Sequence, residues 1–365
     1  MSRLFTALAA LLLLASCENN GYTIKGSFPS APDGTTVYMT AADEFFTIID
    51  SAKVDNGHFE FTGGYHDRIV RMLLVPSKAI GGPVVVESGV VNVNIGNTVE
   101  RGGTEGNAIL QRFMDAKELL EGLEGVTSPA YLKAMPMDKN VCDSLIAERE
   151  KARATLAAYA YLAIENNIDN NLGLFLVTKS YKMIDAERLF PLLGKVPSYL
   201  RDARYSFVND YVSTIVANNR NRSETAVGKQ YLNFELPDIN DEKVLFSSIV
   251  NKNRYTLLQF WAGWCAPCRM ELPEITKLYV KYGKRGFAAV GLSLDSDAAE
   301  WRNAVSSLAL SWKQLCGPTG GSSEVAAAYG VTAIPSNVLI NNKGTIIARD
   351  LAAAELDSLL AASLK

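Results

Sequence analysis

Two cysteines that stand three residues apart, Cys265 and Cys268, constrain the fold of this chain more than any other feature. An apolar run at residues 255–261 comes just before them, and a helical pattern at residues 269–281 comes directly after. This order predicts a buried strand that turns into a helix, with the first sulfur near the helix N-terminus. Unpaired N–H groups and the helix dipole stabilise a thiolate there, and the thiolate is the form that attacks disulfides. The sequence therefore predicts a redox nucleophile at this junction.

The start of the chain has the anatomy of a secretory signal. A short positive segment precedes an apolar stretch at residues 4–14, which is too short to span a bilayer. Leu-Ala-Ser-Cys at residues 14–17 resembles the bacterial lipobox, in which the cysteine is lipidated. We therefore expect residues 1–17 to be a lipoprotein signal and Cys17 to anchor the chain in the cell envelope, facing the periplasm. The alternative is an ordinary cleaved signal that ends near a cysteine.

Cysteine usage and charge exclude several classes of protein. The chain has 365 residues, five cysteines and a formal net charge of −3. So few cysteines in a long exported chain do not make a disulfide-stapled scaffold, and the near balance of charge gives no support for nucleic-acid binding. No other stretch approaches the ~18 apolar residues of a membrane-spanning helix, so we expect an anchored chain rather than a spanning one.

Hydrophobic periodicity divides the rest of the chain into three regions. Residues 18–103 hold short β-branched and aromatic runs separated by turn residues, which predicts a small antiparallel β-domain. Residues 104–227 show helical spacing, which predicts a mainly α-helical region that ends in a linker at residues 220–224. Strands and helices alternate over residues 228–365, which is typical of an α/β unit. In the β-domain, strands are predicted at residues 22–26, 36–39, 59–61 and 84–86, with a turn at 55–57.

The C-terminal region resembles the thioredoxin-fold oxidoreductases of the TlpA/ResA type. The matching motifs are Phe-Trp-Ala running into Trp-Cys-Ala-Pro-Cys at residues 260–268, Glu-Leu-Pro at 271–273, Ser-Leu-Asp at 293–295 and Gly-Val-Thr-Ala-Ile-Pro at 330–335. The β-region is similar to an uncharacterised domain that precedes such modules in envelope lipoproteins of some Gram-negative bacteria. The resemblance implies an α/β thioredoxin fold, preceded by a small antiparallel β-domain and a mainly α-helical region.

The resemblance implies thiol–disulfide exchange by two cysteines. Cys265 is the expected exposed nucleophile and Cys268 resolves the mixed disulfide, so the Cys265–Cys268 disulfide is the redox centre and no other cofactor is implied. Many thioredoxins place a buried aspartate six residues before the nucleophile, where this chain has Gln259, which cannot accept a proton at neutral pH. Glu271 matches a glutamate of the TlpA/ResA group and shares a helix face with Cys268. It either relays a proton or is a solvated first-turn glutamate that favours the helix dipole.

Four residues are expected to form the substrate-binding surface. Pro267 stiffens the turn between the cysteines. The bond between Ile334 and Pro335 matches the family's cis-proline, which faces the sulfurs and presents backbone to the substrate. Trp264 is expected to be half-buried and to contact the substrate. The expected partners are protein disulfides or thiols, and a membrane electron donor, because a reductase in the oxidising envelope needs a supply of electrons. The resemblance favours reduction, and the sequence gives no oligomeric state.

Other chemistries were weighed against the same residues. Structural zinc needs four ligands, but the chain has one cysteine pair, and both histidines, His58 and His66, lie in the β-domain, so no metal is expected. The same placement argues against a Cys–His hydrolase. A peroxidase needs Thr or Ser three residues before its reactive cysteine, where this chain has Ala262. Peroxidase activity and a mainly binding or scaffold role stay open as alternatives. Structural roles are expected for Cys142 and Cys316 as inert thiols, and for Asp295 as the cap of the next helix.

Overall fold

The computed structural model describes residues 21–42, 47–64, 68–317 and 321–364. Cys17, where the lipid anchor is predicted, and His66 lie outside the described residues. Within the described part of the chain, no helix is both long and apolar enough to cross a membrane. The chain divides into two units, Met1–Val212 and Ser213–Lys365.

A sandwich of two four-stranded sheets opens the first unit. Its strands are β1 Gly21–Ser27, β2 Thr36–Ala41, β3 Ile48–Lys53, β4 His58–Gly64, β5 Ile69–Val75, β6 Ile80–Val86, β7 Gly89–Ile95 and β8 Val99–Gly102. The sheets have the orders β4-β1-β7-β8 and β3-β2-β5-β6. All pairs are antiparallel except β1 with β7. Each of the four strands predicted from sequence lies within an observed strand, and alternate side chains such as Ile24, Val91 and Val93 fill the core between the sheets.

The predicted turn at residues 55–57 joins the two sheets. Asp55 and His58 form an antiparallel bridge, and Asn56 and Gly57 between them both have positive φ, at 48° and 75°. This is the backbone that an Asn-Gly pair favours in a two-residue turn. Because β3 pairs with β2 and β4 pairs with β1, the chain passes here from one sheet to the other.

Helices make up the rest of the first unit. They are α1 Glu105–Val126, α2 Pro129–Ala134, α3 Lys139–Glu165, α4 Asn171–Ser180, α5 Ala186–Leu193 and α6 Ala203–Glu224. Residues 220–224, predicted as a linker, are instead the last turns of α6. Asn221 Nδ2 donates to the Ala327 carbonyl, and Arg222 pairs with Asp350, so these polar residues are held by contacts distant in sequence. The division between the units falls within this helix, between residues 212 and 213, whereas the sequence suggests a boundary at 227/228.

The second unit is the α/β fold that the sequence predicts. Its elements are β9 Glu235–Pro237, β10 Lys243–Leu245, α7 Ser247–Val250, β11 Tyr255–Trp261, α8 Ala266–Tyr282, β12 Phe287–Ser293, α9 Ala298–Ser307, β13 Lys313–Cys316, α10 Gly321–Ala328, β14 Ser336–Asn341, β15 Ile346–Arg349 and α11 Ala353–Ser363. Five of the strands form a sheet of order β13-β12-β11-β14-β15, with β11 in the centre. β11 is parallel to β12 and antiparallel to β14.

The sequence of β11 is one continuous apolar run because its side chains are buried on both faces of the sheet. Leu257 and Trp261 point into the core that also holds Leu272 of α8. Leu258 and Phe260 point into a second core on the opposite face. A central strand fixed in this way places the loop at its carboxyl end, and the cysteine pair that follows, in a defined position.

Candidate redox site

The helix that follows β11 begins at the cysteine pair. Cys265 is the N-cap of α8, and its sulfur accepts a hydrogen bond from the Cys268 N–H over 3.3 Å. Pro267 lies in the first turn, where its missing N–H would in any case have no partner in the helix. The two sulfurs form a disulfide. After reduction, the same N–H would face a thiolate on Cys265, which is the arrangement that lowers a thiol pKa at a helix N-terminus.

The two sulfurs differ in access. Cys268 is completely buried, whereas Cys265 keeps 5% of its surface exposed. Cys265 is therefore much less exposed than expected of the nucleophile. It packs into the apolar core, and its sulfur lies 3.8 Å from the Ile334 carbonyl oxygen. A partner molecule can still reach Cys265 first, and Cys268 is accessible only from within the protein.

The loop before β14 faces the nucleophile. The peptide bond between Ile334 and Pro335 is cis, and Pro335 is exposed while Ile334 is partly buried. Because the Ile334 carbonyl contacts the sulfur of Cys265, the segment at residues 334–335 forms one side of the opening through which Cys265 is reached.

Several apolar side chains close in sequence to Cys265 and Ile334 are exposed. Trp264 is 69% exposed and Met270 is 74% exposed. The expectation that Trp264 is half-buried is thus wrong, because the side chain projects from the loop into solvent. We call Trp264, Ala266, Pro267, Met270 and Pro335 the apolar rim; all are exposed. Exposed apolar groups that flank a reactive sulfur in the sequence suit contact with another molecule.

Glu271 is partly buried on α8 and contacts the central strand. The Gln259 amide donates from Nε2 to Glu271 Oε2 over 3.2 Å. Burial raises the pKa of the Glu271 carboxyl above its usual 4.5, against the opposing effect of this hydrogen bond. Gln259 itself is fully buried in β11, and its Oε1 has no hydrogen-bond partner among the described residues. A half-buried carboxyl with a raised pKa, three residues after Cys268 on one helix face, suits proton transfer to or from that thiol.

Asp295 has a different role from the predicted helix cap. The residue that caps α9 is Asp297, which accepts from the N–H groups of Ala299 and Glu300. Asp295 is buried and accepts from the Gly263 N–H with both carboxylate oxygens, at 3.1 and 2.9 Å. The Ser293 hydroxyl donates to the same carboxylate over 2.6 Å. No local sequence pattern predicts this contact with the loop before Cys265, because residues 263 and 295 are distant in sequence.

Three other candidate side chains are Cys142, His58 and Cys316. Cys142 is partly buried on α3, in the first unit, and His58 is exposed on β4. Cys316 is a buried free thiol in the same apolar core as the disulfide, and its sulfur donates to the Asp295 carbonyl over 3.6 Å. Burial raises the pKa of the Cys316 thiol, which disfavours its reactive form. Among the described residues, no group of three or more His, Cys, Asp or Glu side chains is placed to hold a metal ion.

Comparison with known proteins finds a family match in each unit. The AhpC/TSA family matches residues 227–349, and a domain of unknown function, DUF4369, matches residues 22–110. The thiol-disulfide oxidoreductase ResA of Bacillus thuringiensis subsp. konkukian (strain 97-27) is 30% identical over 121 residues, which are 33% of this chain and 67% of that protein. ResA of Halalkalibacterium halodurans is 29% identical over 126 residues, 34% of this chain and 69% of the relative.

A solved structure of a thiol-disulfide oxidoreductase from Bacteroides fragilis NCTC 9343 is 39% identical and covers 37% of this chain and all of that one, with a TM-score of 0.35. On this identity to ResA across two thirds of its length, the chain belongs to the ResA-like thiol-disulfide oxidoreductases.

Proposed function

We propose that this oxidoreductase is lipid-anchored through Cys17 in the cell envelope, faces the periplasm, and reduces disulfide bonds of envelope proteins. The observation that carries the choice of substrate is the apolar rim around a nearly covered Cys265. A small-molecule disulfide needs no such surface, whereas an unfolded or extended polypeptide offers apolar side chains on both sides of its cysteine.

The proposed reaction has two exchange steps. The Cys265 thiolate attacks one sulfur of the substrate disulfide, which forms a mixed disulfide and releases the other substrate sulfur as a thiolate. The Cys268 thiolate then attacks the Cys265 sulfur and releases the second substrate thiolate. Two electrons and, after protonation, two protons pass to the substrate, and the enzyme is left with the Cys265–Cys268 disulfide. A membrane thiol donor must reduce this disulfide before the next cycle.

The side chains around the disulfide suit these steps. Because Cys268 is completely buried, the mixed disulfide is resolved by an internal thiol that other molecules cannot reach. Glu271, with its raised pKa, can take the proton that Cys268 must lose before it attacks. The Cys268 N–H can stabilise the Cys265 thiolate before it attacks the substrate.

Trapping tests the proposal directly. In Cys268→Ser the mixed disulfide cannot be resolved, so partners expressed in the native envelope should accumulate on Cys265 and be released by reducing agent. Cys265→Ser is the matched control and should trap none. If Cys268→Ser captures no envelope protein although its Cys265 still reacts with a small disulfide, protein disulfides are not the substrate. Turnover of hydrogen peroxide in place of disulfide reduction would favour the peroxidase alternative.

Two further measurements test direction and anchoring. A reduction potential near −270 mV, about that of thioredoxin, supports the reductase, and one near −120 mV, about that of DsbA, would reverse the direction. Cys17→Ala should release the protein from the membrane fraction. If Cys17→Ala leaves the protein in the membrane, the anchor lies elsewhere.

A further inference from the structure

Arg101 is a buried cation in the first unit. It belongs to β8, where Val99 and Arg101 are buried and Glu100 between them is exposed. Only 7% of the Arg101 surface is exposed. Nη2 donates to the Val99 carbonyl, but Nε and Nη1 have no hydrogen-bond partner among the described residues. Because an unpaired buried charge is costly, a guanidinium in this state indicates a place for an anion.

A cavity of about 740 Å³ lies beside this guanidinium. It is bounded by β6, β8, α1 and α4 of the first unit, and Arg101 is one of the lining residues. Met72, Pro83, Met114 and Phe175 supply an apolar wall. The volume falls in the range of about 300–1,000 Å³ that small-molecule sites occupy, and it is far larger than an inorganic ion needs.

Three carboxylates on α1 limit the negative charge that a ligand in this cavity can carry. Asp115, Glu118 and Glu121 line the cavity and are exposed. The Gln111 amide accepts from the Arg101 backbone N–H over 2.8 Å and donates to Asp115 over 2.6 Å, which keeps this carboxylate near the guanidinium. Glu100, Lys117 and Lys179 also line the cavity, and Lys117 pairs with Glu121, so the lining has four carboxylates and three cations. This balance disfavours a polyanion, whereas a single negative charge can be balanced by Arg101.

Arg101 keeps its charge in this setting. Burial lowers the pKa of Arg101 to about 10, with Asp115 opposing the change, so the side chain is protonated at neutral pH. Gly82 on β6 makes room for it, since a Cβ at this position would lie 3.3 Å from Arg101 Nη2 and 3.0 Å from Val99 Cβ. The strand opposite β8 thus accommodates the arginine without supplying a counter-ion.

We propose that this cavity binds a molecule with one carboxylate on an apolar body, the carboxylate on Arg101 and the apolar body against Met72, Met114 and Phe175. Nε and Nη1 are covered in the present arrangement, so binding includes a rotation of the guanidinium towards the cavity. Two sources carry this chemistry, a free medium-chain fatty acid and the free C-terminus of an apolar peptide. The site does not depend on the redox reaction.

Calorimetric titration of the full-length oxidised protein tests the proposal. The probes are octanoate, octan-1-ol as the uncharged match, and acetyl-Ala-Leu-Met with either a free or an amidated C-terminus. At least one carboxylate probe should bind about 10-fold or more tightly than its uncharged match, because a charge-assisted hydrogen bond is lost with the charge. Preference for octanoate identifies a fatty-acid site, and preference for the peptide acid identifies a C-terminus.

Substitutions distinguish a specific contribution of the Arg101 guanidinium to carboxylate binding from a general change in the protein. Arg101→Met should abolish the preference for the charged probe, and Arg112→Met, which removes an exposed arginine of α1, should leave it unchanged. Should Arg101→Met fail to fold, Glu118→Gln serves instead, and it should tighten carboxylate binding while octan-1-ol binding stays the same. Equal affinities within each matched pair, no binding of either carboxylate, or tighter binding of inorganic phosphate would each overturn the proposal.

Discussion

The side-chain amide of Gln259 donates to the Glu271 carboxylate over 3.2 Å, and this bond joins the central strand to the helix that carries both cysteines. An amide can donate to a carboxylate through its nitrogen or, when turned over, accept from a carboxylic acid through its oxygen. Gln259 therefore suits both protonation states of Glu271, and its Oε1, which lacks a partner now, is the acceptor that a protonated Glu271 would use. Gln259, which does not ionise, can thus hydrogen-bond Glu271 on the neighbouring helix both before and after Glu271 takes up a proton.

Replacement of Glu271 should slow resolution of the mixed disulfide. In Glu271→Gln we expect the step in which Cys268 attacks to slow by about 10²-fold near pH 7, because no carboxylate accepts the thiol proton. Single-turnover reduction of insulin across pH 5–9 measures this step. Glu274→Gln, which alters an exposed glutamate on the same helix, should keep the wild-type profile. Gln259→Leu removes the hydrogen bond that lowers the Glu271 pKa. The rise of the single-turnover rate with pH that follows ionisation of Glu271 should therefore occur at higher pH in this variant. Identical profiles for Glu271→Gln and wild type would end the relay hypothesis.

Glu271 also predicts how stability depends on pH. Burial raises its folded pKa above the usual 4.5, so from that pH upward the folded protein holds a proton that the unfolded chain has released. The unfolding free energy contributed by this group therefore falls as pH rises from 4.5 through the folded pKa, and it levels off above. Urea unfolding of oxidised wild type and Glu271→Gln at pH 4–8 should give a difference, variant minus wild type, that grows across this window. A difference that is constant with pH would contradict the raised pKa.

Local sequence patterns predicted the elements of the redox site but not the contacts between them. The apolar run of β11 and the proline after Cys265 are sufficient to predict a strand followed by a helix N-terminus. Burial of Cys265 depends on Ile334, 69 residues away, and no local pattern reports it. The same reason explains Asp295: it and Asp297 both suit a helix cap by type, and only the distant Gly263 N–H decides which one caps.

Asp295 should stabilise the loop that leads into the nucleophile. In Asp295→Asn an amide replaces a buried carboxylate that accepts from the Gly263 N–H and the Ser293 hydroxyl, so at least one donor loses its partner. We expect the unfolding free energy to fall by about 1–3 kcal/mol and disulfide exchange to slow as the loop loosens. Asp297→Asn is the matched control, since asparagine also caps helices well and should change stability little. If Asp295→Asn and Asp297→Asn have the same unfolding free energy and the same rate of insulin reduction, Asp295 does not stabilise this loop.

Trp264 should act on substrate binding and not on folding or chemistry. Because 69% of the side chain is exposed, Trp264→Ala should change the unfolding free energy by less than about 0.5 kcal/mol. Loss of an apolar contact at the rim should raise KM for insulin several-fold and leave reduction of a small disulfide such as oxidised glutathione unchanged, since the sulfurs themselves are untouched. Val280→Ala provides the control, because Val280 is also an exposed apolar residue, at 72%, but lies on α8 about three turns beyond Met270. If activity falls equally with insulin and with oxidised glutathione, Trp264 supports the disulfide itself. If KM for insulin is unchanged, Trp264 does not contribute to substrate binding.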